Sequence, residues 1–426
     1  MKSTLVDRVR HASLATLLVT VAMAAGTGLA YAADACTEVK IMGSAGQETD
    51  ALAKYATSDF EKASGIKANV DIVARDMQGQ RESAEFVADA GQYDVVLIGG
   101  SDDKLWVGRA HSVDIRKILP EKELANIVPR VRELATMDDG KLMAVPQYWN
   151  APMYFYRKDL FADPKTQADF KAKYGYDLGP PDTWEHLADI SEFFNHPPNL
   201  YGGFVDGVAW ASIYDYYNVL FGLGGNFSDL KANKMTLNSP ESVRALTLLQ
   251  RVSKAAPPGY QTQSFFDADK LIQAGKLAAY WNWSYIWTTL AKQPDKFAMA
   301  PPPGKGIHAG GFWLAVPEAA PHPACAAKFL SWVLTDDFQL KQMAATGNPA
   351  ATISANGDKD ATDKIPDFDA YRATASKLMI EDVTWSRELS EGVSAALADV
   401  YAGKKTPQQA ADWLENEKFK DRKPME

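Results

Sequence analysis

The stretch GKLMAVPQYWNAPMYFYRKDLF, residues 140–161, decides the fold of this 426-residue chain. Two short apolar runs within it, residues 142–145 and 153–156, are rich in branched and aromatic side chains, which favours strands over helices. Pro146 and Pro152 lie between the runs, and proline cannot donate a hydrogen bond within a central strand. We therefore expect both strands to be interrupted at the prolines. The chain between them then crosses from one sheet to a second and lines a cleft between two lobes.

The size and charge of the chain limit the classes of protein to consider. Its 426 residues, of which 46% are hydrophobic, exceed one ordinary domain and suffice for a large core. The formal net charge is −9. So acidic a chain argues against nucleic acid or an anionic membrane surface as the main partner.

Residues 1–32 have the pattern of a secretory signal peptide. A basic start is followed by an apolar segment, residues 14–29, and by the small-x-small sequence Ala30-Tyr31-Ala32. The apolar segment contains two glycines and is short for a bilayer span. We expect this segment to be removed and the remaining chain to be soluble and exported.

Cys36 and Cys325 are the two cysteines of the chain, and both lie in the exported part. In an oxidising compartment such a pair can form a disulfide, which across so long a loop would stabilise by about 4–5 kcal/mol in a chain-entropy model. Two buried free thiols are the alternative, and the residues alone leave both open. No Cys/His set has the spacing of zinc ligands, and we expect no cofactor.

The first part of the exported chain alternates between strand and helix patterns. Strands are predicted at residues 39–42, 67–73 and 94–98, with helices after the first two. This alternation indicates a largely parallel sheet, in which ligands lie beyond the carboxyl ends of the strands. The polar loops expected to meet at that edge are residues 43–48, 74–76 and 99–103.

Several segments, in this order along the chain, resemble one known family. They are FEKASGIKANV (60–70), QYDVVLIGG (92–100), VPQYWNAPMYFYRKDLF (145–161), PPDTWEHLADI (180–190), MTLNSPESVRAL (235–246), IQAGKLAAYWNW (272–283) and GGFWLAVPEAAPHPACAAKFLSWVLT (310–335). Together they resemble the bacterial extracellular solute-binding proteins of family 1, which supply ABC importers, mostly with sugars. The resemblance covers nearly the whole exported chain.

The resemblance implies an α/β protein with two lobes, a type II-like periplasmic binding protein that closes on its solute as a Venus flytrap does. It also implies a periplasmic location and delivery to the membrane permease of an ABC transporter, and we expect a monomer. The implied parts are lobe 1 (37–145 and 308–350), lobe 2 (149–302 and 362–426) and a hinge (near 145–152, 303–309 and 350–361). Because Cys36 and Cys325 then share lobe 1, the resemblance favours the disulfide.

Aromatic residues supply the main evidence for a ligand class. A sugar ring has an apolar C–H face and a rim of hydroxyl groups, so its site needs aromatic side chains together with amides and carboxylates. Any one of these residues could instead belong to the core, and Glu48 could cap a helix. The aromatic candidates are Trp149, Trp210, Trp281, Trp283 and Trp313, and the hydroxyl-binding candidates are Gln47, Glu48, Arg75, Asp102, Asn150, Asp215 and Asn282.

Other functions compete with sugar binding. A polyol presents similar hydroxyls, and acidic groups beside tryptophans also suit a cationic amine through cation–π attraction. Tyr214 and Tyr217 could supply oxygen ligands to ferric iron, but they share a helical face and fit packing better. A glycoside hydrolase would need a carboxylate pair such as Glu48 and Asp102. Because the chain has no nucleophile elbow, H-E-x-x-H, P-loop or dinucleotide fingerprint, we expect a binding protein and not an enzyme.

Overall fold

The computed structural model of the protein describes residues 36–99, 112–137, 139–380, 382–383 and 385–425. The predicted signal peptide at residues 1–32 and the candidate Asp102 lie outside these ranges. The chain from Cys36 onward forms one compact unit. Within the described ranges, no helix combines the length and the apolar character needed to cross a bilayer.

Strands account for both sheets and for two short pairings. The described strands are β1 (Glu38–Ser44), β2 (Lys67–Val73), β3 (Val95–Gly99), β4 (Val145–Asn150), β5 (Pro152–Arg157), β6 (Ser228–Asp229), β7 (Lys234–Met235), β8 (Ala279–Trp283), β9 (Phe297–Ala300), β10 (Ile307–His308), β11 (Gly310–Ala315) and β12 (Leu378–Met379).

Helices connect and cover the strands. The described α-helices are α1 (Gln47–Tyr55), α2 (Glu61–Ser64), α3 (Gln78–Phe86), α4 (Glu121–Leu124), α5 (Pro129–Leu134), α6 (Lys158–Phe161), α7 (Pro164–Tyr174), α8 (Trp184–Phe193), α9 (Ala209–Leu223), α10 (Pro240–Ser253), α11 (Phe265–Gln273), α12 (Trp287–Leu290), α13 (Pro323–Val333), α14 (Asp336–Thr346), α15 (Ile353–Gly357), α16 (Lys359–Thr362), α17 (Asp369–Ala375), α18 (Ser386–Tyr401) and α19 (Pro407–Trp413). Single turns of 3-10 or π-helix lie at Ala56–Phe60, Arg75–Met77, Ile115–Lys117, Tyr260–Thr262, Ser284–Ile286 and Leu414–Lys418.

The first sheet has five strands in the order β2-β1-β3-β11-β4. β1 pairs in parallel with β2 and β3, whereas β11 runs antiparallel to both β3 and β4. The first four residues of β3 are buried, as expected for a strand covered on both faces. The parallel start predicted from the sequence is confirmed, and a segment from late in the chain completes the sheet.

β4 corrects the interpretation of the first proline. The strand continues through Pro146, so the interruption expected there is wrong. β4 is an edge strand, where a missing N–H removes no hydrogen bond from the interior of the sheet. An irregularity between Phe312 and Trp313 of β11 lies opposite Pro146 and relaxes the pairing there.

The second sheet is antiparallel, with the order β8-β5-β9. β5 begins at Pro152, the first position of a strand, where proline is tolerated. Residues 147–150, expected to cross open space, belong to β4, so Ala151 alone separates the strands of the two sheets. Pro152 pairs with Trp283 at the end of β8. The chain segment that connects the two sheets is therefore shorter than the expected segment 145–152.

A disulfide joins Cys36 to Cys325, whose Cα atoms are 5.4 Å apart. Cys36 precedes β1, and Cys325 is a buried residue of α13, which packs against β1. The structure thus contains the pairing that the resemblance favoured. It ties the first strand to a helix that follows β11.

Candidate functional site

Glu48 and Arg75 meet at the edge of the five-stranded sheet. Glu48 lies in the first turn of α1, shortly after β1, and Arg75 lies in the turn after β2. Because these strands are parallel, their carboxyl ends place the two side chains together. Glu48 is 4% exposed and forms an ion pair with Arg75, whose Nε also donates to the Ala45 carbonyl at 3.0 Å. Burial raises the pKa of the Glu48 carboxyl, and the Arg75 guanidinium opposes that rise.

Two aromatic residues extend this edge across the sheet. The Arg75 guanidinium lies 5.2 Å from the ring centroid of Phe312, and that centroid lies 6.0 Å from the ring centroid of Tyr148. Phe312 on β11 pairs with Tyr148 on β4. Phe312 is partly exposed, whereas Tyr148 is buried. The edge therefore combines a compensated charge pair with an accessible aromatic face.

Asn150 and Trp283 come together at Gly310. A Cβ atom at Gly310 would lie 2.0 Å from Asn150 Oδ1 and 2.4 Å from the Trp283 ring, so the close approach requires glycine. Asn150 ends β4 of the first sheet and Trp283 ends β8 of the second. Asn150 Oδ1 is buried without a hydrogen-bond partner in the described part of the chain. Two predicted site residues from different sheets thus meet, and one offers a vacant acceptor.

Trp283 continues into an aromatic group with Tyr214 and His308. The ring centroids are 5.4 Å apart for Tyr214 and Trp283, 5.3 Å for Tyr214 and His308, and 5.9 Å for Trp283 and His308. Trp283 and Tyr214 are partly exposed, whereas His308 is buried. Burial lowers the pKa of His308 to about 3, so its imidazole is neutral at neutral pH.

These contacts define what we name the contact group. It comprises residues from both sheets, α1, the turn after β2, α9 and β10. Its members are Glu48, Arg75, Tyr148, Asn150, Tyr214, Trp283, His308, Gly310 and Phe312.

Three predicted residues lie in the interior instead, where their side chains form hydrogen bonds with other groups of the protein. Trp281 Nε1 donates to Asp215 Oδ1 at 2.7 Å, and the backbone N–H of Asp206 donates to Asp215 Oδ2 at 2.7 Å. Asn282 Nδ2 donates to Asp269 Oδ1 at 2.6 Å. Burial raises the pKa of Asp215 to about 7, although both hydrogen bonds oppose the rise. This placement does not support direct ligand contacts by Trp281, Asp215 or Asn282.

Trp149 and Trp313 also lie in the interior, each 2% exposed. The Trp149 ring packs edge-on against Tyr371, with centroids 6.3 Å apart. Because successive side chains of a strand point to opposite faces, Trp149 points away from the face that carries Asn150. The expectation that Trp149 lines an open crossing is therefore corrected. Within the described residues, the Nε1 atoms of both tryptophans are buried without a hydrogen-bond partner.

The other predicted residues lie apart from the contact group or beyond description. Trp210 is 54% exposed at the start of α9 and packs edge-on against Phe265, with centroids 5.4 Å apart. Gln47 is exposed at the first position of α1. Asp102 lies outside the described residues.

Tyr148, Tyr214, His308 and Phe312 are not among the residues predicted to bind a sugar. One signal was available: Gly310-Gly311 directly before an aromatic run, since glycine in a strand often marks a close approach of two chain segments. Tyr214 was predicted to pack, and it does so against the candidate Trp283. Tyr148 lies in the segment expected to line a cleft, but no local signal singles it out there, and none marks His308, because their neighbours come from distant parts of the chain.

Two further features lie outside the contact group. In the described ranges, no set of three or more His, Cys, Asp and Glu side chains is placed to hold a metal ion. A surface depression of about 590 Å³ is lined by residues that include Tyr156, Pro301, Asp367 and Arg372. None of the predicted site residues lines it.

The overall architecture matches solved two-lobed binding proteins. An ABC transporter solute-binding protein from Agrobacterium radiobacter K84, solved in complex with ribitol, matches with a TM-score of 0.70 at 22% identity. The match covers 88% of this chain and 96% of that one. The fold is therefore that of a two-lobed periplasmic binding protein, as predicted.

A family model described as "Bacterial extracellular solute-binding protein" matches residues 45–340, more than half of the chain. The chain belongs to this family. Members of the family bind solutes and are not enzymes, which confirms the expectation of a non-catalytic receptor.

Three curated relatives cover different shares of their own lengths. The chain is 27% identical over 362 residues to a probable ABC transporter-binding protein of Deinococcus radiodurans, covering 78% of this chain and 80% of that one. It is 24% identical over 273 residues to a mannitol-binding protein of Pseudomonas aeruginosa, covering 61% and 60%. It is 25% identical over 299 residues to the sn-glycerol-3-phosphate-binding periplasmic protein UgpB of Salmonella typhimurium, covering 64% and 65%. The chain thus spans less than two thirds of the last two relatives.

Proposed function

We propose that this protein is a periplasmic receptor that binds a sugar or polyol and delivers it to the membrane permease of an ABC transporter. The supporting observation is the arrangement at Gly310, where the vacant acceptor Asn150 Oδ1 lies beside the partly exposed ring of Trp283. A polyhydroxy ligand offers a hydroxyl donor to that oxygen and an apolar C–H face to the ring. The mannitol-binding relative supports this ligand class.

The two sheets belong, in this proposal, to two lobes. Lobe 1 comprises residues 37–150 and 308–350, and lobe 2 comprises residues 152–302 and 362–426, with Ala151 as one of the pivots. Under this division Asn150 and Trp283 come from different lobes. A ligand that contacts these two residues and further groups of both lobes away from Ala151 binds the closed form better and shifts the population toward it.

The remaining parts of the proposal concern export and assembly. Residues 1–32 form a cleaved signal peptide that directs the protein to the periplasm. The mature chain acts as a monomer, and the solute passes to the permease chemically unchanged. Size-exclusion chromatography with light scattering tests the monomeric state, and mass spectrometry of the exported protein tests the cleavage.

Calorimetric titration of the mature protein with mannitol, ribitol and maltose tests the ligand class. Thermal-shift screening precedes it, because a ligand at a hundredfold excess over its Kd adds about 2.7 kcal/mol to the free energy of unfolding. Putrescine and ferric citrate represent the amine and iron alternatives. Saturable binding of either one, with no response to any sugar or polyol, would overturn the proposed ligand class.

A Gly310→Ala variant locates the binding site. The added methyl group must displace Asn150 Oδ1 or the Trp283 ring, so we expect at least a roughly tenfold weaker affinity, about 1.4 kcal/mol. Gly79→Ala is the matched control, because a Cβ atom there meets nothing within 4 Å. Equal affinities for the two variants would place the ligand elsewhere.

A further inference from the structure

We infer that the solute is uncharged, and that Glu48 excludes its phosphorylated forms by filling the anion-attracting position of the site with its own carboxylate. This inference rests on the proposed function, because it concerns the ligand of the same site. Glu48 thereby determines specificity through charge.

The surroundings of Glu48 have two features that attract anions. The residue lies in the first turn of α1, a nine-residue helix, and the N–H groups of a first helical turn bind phosphates and carboxylates. Arg75 lies beside it, and a guanidinium matches the geometry of both kinds of anion. The Glu48 carboxylate uses both features, since it pairs with Arg75 and accepts from its own backbone N–H.

The carboxylate is held firmly in this position. Glu48 is 4% exposed, and the Gln147 side chain donates to its backbone carbonyl at 2.9 Å. A Cβ atom at Gly46 would lie 2.4 Å from Glu48 Oε1 and 2.5 Å from Arg75 Nη2. The Gly46 backbone therefore lies against the ion pair. The Arg75 side chain is itself 52% exposed, so an incoming anion meets a guanidinium whose charge the buried Glu48 carboxylate already balances.

The rest of the contact group cannot compensate an anionic ligand. Arg75 is the one cation of this group, and Glu48 already neutralises it. His308 is held uncharged, because burial lowers its pKa to about 3. An anionic ligand that gives up hydration here gains no compensating cation, which is unfavourable. A neutral polyol meets no such penalty, so the site differs in kind from one suited to a phosphate ester such as the ligand of the glycerol-phosphate-binding relative.

Calorimetric titration with matched neutral and charged probes tests the inference. The wild-type protein is titrated with mannitol, mannitol 1-phosphate, glycerol 3-phosphate and inorganic phosphate. We expect both phosphate esters to bind at least about 100-fold more weakly than mannitol, and inorganic phosphate not to saturate. Tighter binding of either phosphate ester than of mannitol would overturn the inference while leaving solute binding intact. This comparison needs no variant to fold.

A Glu48→Gln variant tests the role of the carboxylate itself. The substitution keeps the shape but releases Arg75 and the start of α1, so we expect inorganic phosphate to bind at least about tenfold more tightly than to wild type, in a salt-sensitive manner. Asp50→Asn is the matched control, because it removes the same charge from an exposed position in the same helical turn. A folded Glu48→Gln protein that gains no phosphate binding beyond this control would refute the assigned role.

The two proposals fail in different ways. If no sugar or polyol binds wild type but Glu48→Gln gains phosphate binding, the ligand class falls and the role of Glu48 stands. If mannitol binds wild type but the variant gains nothing, the ligand class stands and the role of Glu48 falls.

Discussion

Trp149 and Trp283 lie near the ends of strands that lead to the same passage between sheets, yet their surroundings are opposite. Trp149 is 2% exposed and packs against Tyr371. Trp283 is partly exposed and lies beside Asn150. The difference shows that a tryptophan near a crossing is assigned to core or to site by the face of the strand it occupies, rather than by its neighbours in the sequence.

Buried carboxylates show a second contrast, between the edge of the first sheet and the interior near the second sheet. Glu48, at the edge of the first sheet, is compensated by Arg75. Asp206 and Asp215, in the interior near the second sheet, have no salt bridge within the described residues, and the Asp206 amide donates to Asp215. Burial and then the charge of Asp215 raise the pKa of Asp206. One region neutralises a carboxylate with a cation, whereas the other favours its protonated form.

Trp149→Ala carries the largest expected effect. Removing a buried indole leaves a cavity, so we expect the free energy of unfolding of the empty protein to fall by about 3–5 kcal/mol. Denaturant unfolding followed by circular dichroism measures this loss. A change below about 1 kcal/mol would show that Trp149 is not a core residue and would remove the contrast with Trp283.

Trp283→Ala should give the converse result. Loss of an accessible ring face that stacks on the ligand lowers the affinity for a bound sugar or polyol about 10- to 100-fold, or about 1.4–2.7 kcal/mol. We expect the melting temperature of the empty protein to change little, because the ring is partly exposed. Calorimetry and thermal unfolding on one preparation decide the point. Unchanged affinity with a large loss of stability would reverse the roles of the two tryptophans.

Asp206→Asn should have the smallest effect, and one that depends on pH. A raised carboxyl pKa stabilises fully below the ordinary value of 3.8, and this stabilisation is lost as pH rises through the folded value, about 7 for Asp215. The neutral amide of the variant removes one charge of the pair, so its stability relative to wild type should increase by about 1–2 kcal/mol between about pH 4.5 and about pH 8.

Thermal unfolding across that pH range, with Asp50→Asn as an exposed control, measures the difference. Asp267 and Asp269 also act on Asp206 through their charges and raise its pKa further, and the Phe265 backbone N–H opposes this. Parallel pH profiles for Asp206→Asn and wild type would show that the carboxylates of Asp206 and Asp215 do not destabilise the folded protein by mutual repulsion.

Much of the fold could be predicted because it follows from local patterns. The βαβ alternation predicted parallel strands, and residues 140–161 predicted a passage between two sheets. The error at Pro146 has a non-local cause: β4 lies at the edge of the first sheet, and its one neighbour in that sheet, β11, comes from much later in the chain. No pattern around residue 146 contains that information.

The candidate site was predictable only where backbone geometry fixed it. Glu48 and Arg75 meet because parallel strands end at one edge, and this could be inferred from the order of elements. The contacts of Trp283 with Tyr214 and His308 join three segments that are remote in sequence. Sequence composition indicated that tryptophans matter, but it could not distinguish Trp283 from Trp149 without the pairing of β8 with β5.

The single residue Ala151 has a consequence for how the protein would sense its solute. Asn150 adjoins it, and Trp283 pairs with Pro152 on its other side. In the proposed closure about Ala151, atoms close to the axis travel least, so these two side chains should keep nearly the same spacing in the open and the closed form. First capture would then occur on a preassembled seat, whereas side chains far from the axis would move through a longer arc on closure. In a rapid-mixing experiment the indole fluorescence of Trp283 should accordingly change before that of a dye attached far from Ala151.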